Sequence, residues 1–151
     1  DAVVKVGMPG SMRVRDVMTD AIVILRTDTP LLEAWSQMHA AGIQGAPVVD
    51  HRGRLAGLLS MADLADPRRA LTDQSHVVDA MTRFVYAVRA DDPLATAVHL
   101  MLREHIHRAV VVHEDGSLAG IVVPMDILKA IFGAEEEGVS FVDVRDLGGA
   151  G

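Results

Sequence analysis

The chain has 151 residues, half of them apolar but with one Trp, one Tyr and three Phe, so its core must be aliphatic, filled out by eight Met. Its formal charge of −7, with no stripe of Lys or Arg, argues against nucleic acid, whose binding needs clustered cations. No Cys is present, which excludes disulfides, thiolate zinc sites and cysteine nucleophiles and fits a reducing cytoplasm; no apolar run approaches the ~20 residues that span a bilayer.

Residues 1–13 read as an N-terminal extension without the basic and apolar regions of a signal peptide. Val17-Met18-Thr19 comes next, then an apolar run at residues 22–25 with strand character. Asp28-Thr29-Pro30 opens a helix predicted over Leu31–Ala41, in which Leu31, Ala34, Trp35 and Met38 share one face. Two apolar strands are predicted at residues 46–49 and 55–59. Between them, Asp50-His51-Arg52-Gly53 suits a type I turn. A short helix is predicted over residues 61–66, followed by a polar linker at 68–76 that begins with Arg68 and Arg69.

The pattern then starts again. Met18-Thr19 returns as Met81-Thr82, 63 residues later, and the offset holds without a gap: Pro30 meets Pro93, Met38 meets Met101, Gly57 meets Gly120 and Asp63 meets Asp126. Residues 14–67 and 77–130 agree at 19 of 54 positions, so the chain holds an internal repeat. The second copy, residues 77–132, places an extended run at 85–88, a first helix from Leu94, the turn His113-Glu114-Asp115-Gly116 and a last helix over Pro124–Phe132. A tail at 133–151 carries Glu135-Glu136-Glu137 near its start and a short strand is expected at 139–144. Each copy is β-α-β-β-α, too small to bury its own surface well, so the fold expected is α+β with the two copies packed through their sheets about a pseudo-two-fold axis.

Val-Met-Thr, Asp-x-Pro-Leu, Pro-Val-Val-Asp and Gly-Leu-Leu-Ser-Met-Ala-Asp, in this order and at one offset, resemble the cystathionine-β-synthase (CBS) domain, and two in tandem resemble a Bateman module. The resemblance covers residues 14–130. It implies a regulatory module with clefts for adenosyl ligands between the units, AMP, ADP or ATP foremost, no required cofactor, and frequent homodimerisation. It also implies a possible partner enzyme or transporter.

Carried over residue by residue, the resemblance makes Ser60 and Asp63 the phosphate and ribose contacts of one cleft. They would face Val85 and Tyr86, with His107 and Arg108 as the basic pair, and Arg108 could serve the same or the neighbouring cleft. The opposite cleft would use Asp126, Ile22 and Val23, with no hydroxyl at Val123 and no cation at Gln44. The equipped site is therefore expected at Asp63. Read without the family, Ser60 and Asp63 equally fit a helix capping box; His107 and Arg108 fit a surface pair, and Tyr86 fits ordinary packing.

The seven His lack a supporting motif, so no metal site is expected. Ser60 lies in no Gly-x-Ser-x-Gly elbow and no phosphate-binding Gly-x-x-x-x-Gly-Lys loop occurs, so no enzyme is expected. Two other functions stay open: a ligand-free dimerisation module, and a binder of S-adenosylmethionine or a cyclic dinucleotide.

Overall fold

The two Asp-x-Pro sequences set both long helices. In the computed structural model, which describes residues 12–133 and 144–147, Pro30 and Pro93 are the residues just before helices α1 (Leu31–Ala41) and α4 (Leu94–Glu104). Both helices end on a left-handed residue, Gly42 and His105, which turns the chain back toward the sheet.

Each repeat contributes one three-stranded sheet. In the first, β1 (Leu25–Arg26) runs parallel to β2 (Gly45–Val49), which pairs antiparallel with β3 (Leu55–Ser60). In the second, β4 (Ala87–Arg89), β5 (Ala109–Val112) and β6 (Leu118–Val122) repeat that order and polarity. The hairpin turns close as expected: Gly53 and Gly116 take positive φ, and their N–H groups donate to Asp50 and His113 carbonyls. After β3 comes α2 (Met61–Leu64), after β6 comes α5 (Pro124–Phe132), and a short α6 (Val144–Leu147) lies near the C-terminus. Of the strand expected at 139–144, all but Val144 falls outside the described residues, and Val144 opens α6.

The leading segment of each repeat does not pack on its own sheet. Val14, in a 3-10 turn at Val14–Asp16, is buried among Val88, Leu94, Val111 and Val122 of the second repeat. Helix α3 (Val77–Ala80) sends Val77 and Ala80, with Met81, into the core of Leu25, Met38, Val48 and Leu59 of the first. Backbone bonds seal the exchange. Thr19 and Ile121 bond through both their N–H and carbonyl groups, at 2.8 and 2.9 Å, and Thr82 and Leu58 do the same at 2.9 Å each. Next to these crossings sit Gly120 and Gly57. A Cβ there would lie 2.6 Å from the Thr19 carbonyl oxygen and 2.7 Å from that of Thr82, so only glycine fits. The hairpin turns also meet each other, with Leu55 N–H donating to Gly116 and Leu118 N–H to Gly53. The two aliphatic cores are thus tied together by exchanged segments and paired turns about one pseudo-two-fold axis.

Candidate functional site

Two clefts follow from this symmetry. The first, of about 400 Å³, is lined by Leu58, Phe84, Val85, Tyr86, Ile106, His107, Arg108 and Val110. The second, of about 440 Å³, contains Ile121, Ala21, Ile22, Val23, Ile43, Gly45 and Pro47. Each of these seven lies 63 residues from a lining residue of the first cleft; His107 alone has no counterpart, since Gln44 is not part of the second wall. The clefts are copies.

They differ at one end. The second cleft is completed by Thr19, Val123 and Asp126. The equivalent residues of the first, Thr82, Ser60 and Asp63, do not line its cavity. The hydrogen bonds explain the difference. Asp63 Oδ2 accepts from Ser60 N–H and Ser60 Oγ–H, each at 2.9 Å, while Ser60 Oγ accepts from Asp63 N–H at 3.3 Å. That is the capping box, and it closes α2. Asp63 Oδ1 accepts from Arg69 Nη2 at 3.1 Å and from Thr82 Oγ at 3.2 Å. Both oxygens of the carboxylate are engaged, and its side chain is only 14% exposed.

Asp126 is placed differently. Among the described residues, the one hydrogen bond to its carboxylate comes from Val123 N–H at 3.3 Å. Position 132, where Arg69 would have its counterpart, is Phe132, which is exposed. The basic residue that Gln44 does not supply arrives from the other repeat. Arg108 lines both clefts, and its Nη1 reaches the Gly45 carbonyl at 3.5 Å. Gly45 leaves it room: a Cβ there would sit 3.3 Å from that nitrogen.

Of the residues singled out in the sequence, the structure therefore gathers Ile22, Val23, Asp126 and Arg108 around one cavity, and Val85, Tyr86, His107 and Arg108 around the other. Ser60 and Asp63 line neither, although Ser60 pairs across the ladder with Gly45 of the second cleft. Tyr86 donates to Glu104 Oε2 at 3.1 Å and meets Phe84 edge to face; the carboxylate it donates to raises its phenol above the ordinary value of 10.0. Sequence reasoning passed over Arg69 as a linker residue and Thr19 as a motif residue, although Thr19 and Thr82 share the 63-residue offset. Among the described residues no cluster of His, Asp and Glu could hold a metal ion, and no helix is long and apolar enough to cross a membrane.

Comparison with known proteins agrees with this architecture. The CBS domain family model matches residues 14–67 and again 77–133. An uncharacterised protein of Methanocaldococcus jannaschii is 32% identical over 121 residues, covering 79% of this chain and 28% of its own length. The inosine-5′-monophosphate dehydrogenase of the same organism is 32% identical over 114 residues, covering 75% and 22%. This chain thus spans about a quarter of either relative. Among solved structures, the CBS-pair protein CBSX2 from Arabidopsis thaliana superposes with a TM-score of 0.70 at 26% identity, covering 81% of this chain and 95% of that one. The cytosolic domain of the Mg2+ channel MgtE, solved with ATP, gives 0.64 at 30% identity, covering 75% and 46%.

Proposed function

We propose that this chain, which belongs to the CBS-domain family as a tandem pair, is a non-catalytic cytoplasmic sensor that binds AMP, ADP or ATP between its repeats. The observation that carries this reading is the second cleft. An acceptor carboxylate, a hydroxyl, an aliphatic slot and a guanidinium, from Asp126, Thr19, Ile22 with Val23, and Arg108, line a single cavity of about 440 Å³. That size suits a nucleoside-sized ligand. A carboxylate with free acceptor capacity takes two ribose hydroxyls, the aliphatic slot takes a planar base, and the guanidinium takes a phosphate. On this reading the Asp126 cleft, rather than the Asp63 cleft, is the better equipped. CBSX2 has also been solved with AMP and the MgtE domain with ATP, which supports the ligand class.

The test is a thermal-shift series with AMP, ADP, ATP, S-adenosylmethionine and cyclic di-AMP, since a ligand specific to the folded state raises the midpoint with occupancy. One adenine nucleotide should raise it, Asp126→Ala should abolish the rise, and Arg108→Ala should weaken phosphorylated ligands more than adenosine. A rise only with S-adenosylmethionine or the cyclic dinucleotide would change the ligand; no rise with any would leave a dimerisation module.

The outer helix faces support self-association. Leu102 of α4 and Met125, Leu128 and Phe132 of α5 are 68%, 57%, 46% and 60% exposed. A homodimer through this face would cover them, and Leu102→Glu with Leu128→Glu should give a monomer by light scattering. Relatives that carry a similar segment within an enzyme or a channel support a partner of that kind as the recipient of the signal.

A further inference from the structure

We infer that Arg69 is the specificity-determining residue of the first cleft: it holds Asp63 away from any ribose, so the chain takes one adenosyl ligand, in the Asp126 cleft. The inference rests on the reading of the clefts as adenosyl sites. The comparison is internal to the molecule. The two cavities share their walls at a constant offset and differ at the end where Thr82, Ser60 and Asp63 should complete the first as Thr19, Val123 and Asp126 complete the second. At that end sits Arg69, which has no equivalent in the other copy.

Arg69 is held there by more than one contact. Its Nη2 donates to Asp63 Oδ1 at 3.1 Å and to Thr82 Oγ at 3.3 Å, and its Nη1 reaches the Met81 carbonyl at 3.5 Å. Thr82 Oγ in turn donates to Asp63, so cation, carboxylate and hydroxyl form a closed triangle. The side chain is 28% exposed and the carboxylate 14%, which weakens screening by solvent. Backbone conformation aims it. A 3-10 turn at Pro67–Arg69, capped by Asp66 through Arg68 N–H, ends at Ala70 in the left-handed region, φ 48°, unusual for a residue with a Cβ. A ribose approaching Asp63 must displace a charge-assisted bond with two neutral hydroxyls, and the guanidinium it frees would keep its own demand for acceptors.

Two readouts test this on the whole chain. The first is calorimetric stoichiometry with adenosine, whose lack of phosphate removes any attraction to the basic residues. The wild type should bind one equivalent, lost in Asp126→Ala, and Arg69→Ala should bind two. Arg69→Gln, which is shorter than Arg but keeps a polar donor without the charge, should bind a second equivalent more weakly than Arg69→Ala does. The second readout needs no ligand. The chain has no Cys, so Ser60→Cys and Val123→Cys each place one thiol at equivalent positions. Alkylation by iodoacetamide should speed up several-fold at Ser60→Cys when Arg69→Ala is added, and stay unchanged at Val123→Cys. Loss of a nearby cation alone would slow a thiol by raising its pKa, so acceleration reports opening. Two equivalents in the wild type would overturn the inference, as would one equivalent in Arg69→Ala with no change in alkylation. If neither protein binds adenosine, the adenosyl reading of the clefts fails and the alkylation ratio alone decides whether Arg69 closes this end.

Discussion

Replacing Gly57 by Ala tests the exchange of leading segments directly. The new Cβ would lie 2.7 Å from the Thr82 carbonyl oxygen, 2.9 Å from Met81 Sδ and 3.2 Å from Met81 Cγ. An ordinary carbon–oxygen contact needs about 3.3 Å or more, so the Thr82 backbone must retreat by roughly half an ångström. Met81 can swing away, but the Thr82 carbonyl cannot: it accepts from Leu58 N–H at 2.9 Å, and Thr82 N–H donates back at 2.9 Å. Weakening both bonds removes about 0.5–1.5 kcal/mol each. Overpacking adds ~1–3 kcal/mol, and the lower chain entropy of Ala in the unfolded state returns ~0.4–1 kcal/mol. The net expectation is a loss of roughly 3 kcal/mol. Urea unfolding followed by circular dichroism should show the midpoint falling by about 1–3 M, given slopes of ~1–3 kcal/mol/M. Gly120→Ala, with Thr19 O at 2.6 Å, should lose a similar amount. Gly42→Ala meets no atom within 4 Å and should show only the strain of a positive φ, about 1–2 kcal/mol. A loss below about 0.5 kcal/mol for Gly57→Ala, the range of an ordinary surface change, would refute the crossing as drawn.

Two further outcomes follow from the same packing. Val14, fully buried in the second repeat's core, should lose roughly 2 kcal/mol as Val14→Ala, from two methyl-sized groups at ~0.8 kcal/mol each plus the space left behind; hydrogen exchange should accelerate in β4–β6 more than in β1–β3, although Val14 belongs to the first repeat in sequence. Three carboxyls sit below the ordinary value of 3.8: Asp50 through Arg54 N–H, Asp66 through the Arg68 side chain, and Asp115 through the Ser117 hydroxyl. Groups lowered in this way stabilise the fold above pH 3.8 and lose that contribution as pH falls through their folded values, so stability should drop on the acid side and Asp115→Asn should flatten the drop.

The sequence disclosed the elements more fully than their partners. The helices Leu31–Ala41 and Pro124–Phe132 were legible because Pro, periodicity and a glycine stop agree on their bounds. The extended runs at 22–25 and 85–88 were not. Ile22, Val23, Val85 and Tyr86 are apolar because they line clefts, so β1 starts only at Leu25 and β4 at Ala87. Helix α2 stops at Leu64, short of residue 66, since the residue before Pro67 resists helical backbone. The exchange of leading segments left one trace: a mid-strand Gly at the same place in both copies, which signals close backbone approach without saying whose. Nothing in the sequence linked Arg69 to Asp63, six residues away across a bend.

The clefts and the crossings share residues, and this separates Gly57 from Gly120 in a way stability does not. Thr19 both pairs with Ile121 beside Gly120 and lines the Asp126 cleft. Thr82 pairs with Leu58 beside Gly57 but lies outside both cavities, held by Arg69 and Asp63. If the Asp126 cleft is the ligand site, Gly120→Ala moves a wall of it, whereas Gly57→Ala moves only the closed end of its twin. A ligand at a hundred times its Kd adds about 2.7 kcal/mol to a protein that binds it only when folded, enough to offset either substitution. Saturating AMP should therefore restore the melting midpoint of Gly57→Ala to near that of the free wild type, and restore Gly120→Ala far less. Equal rescue of the two variants would mean that Thr19 is not part of the binding wall, and poorer rescue of Gly57→Ala would return the site to the Asp63 side of the molecule.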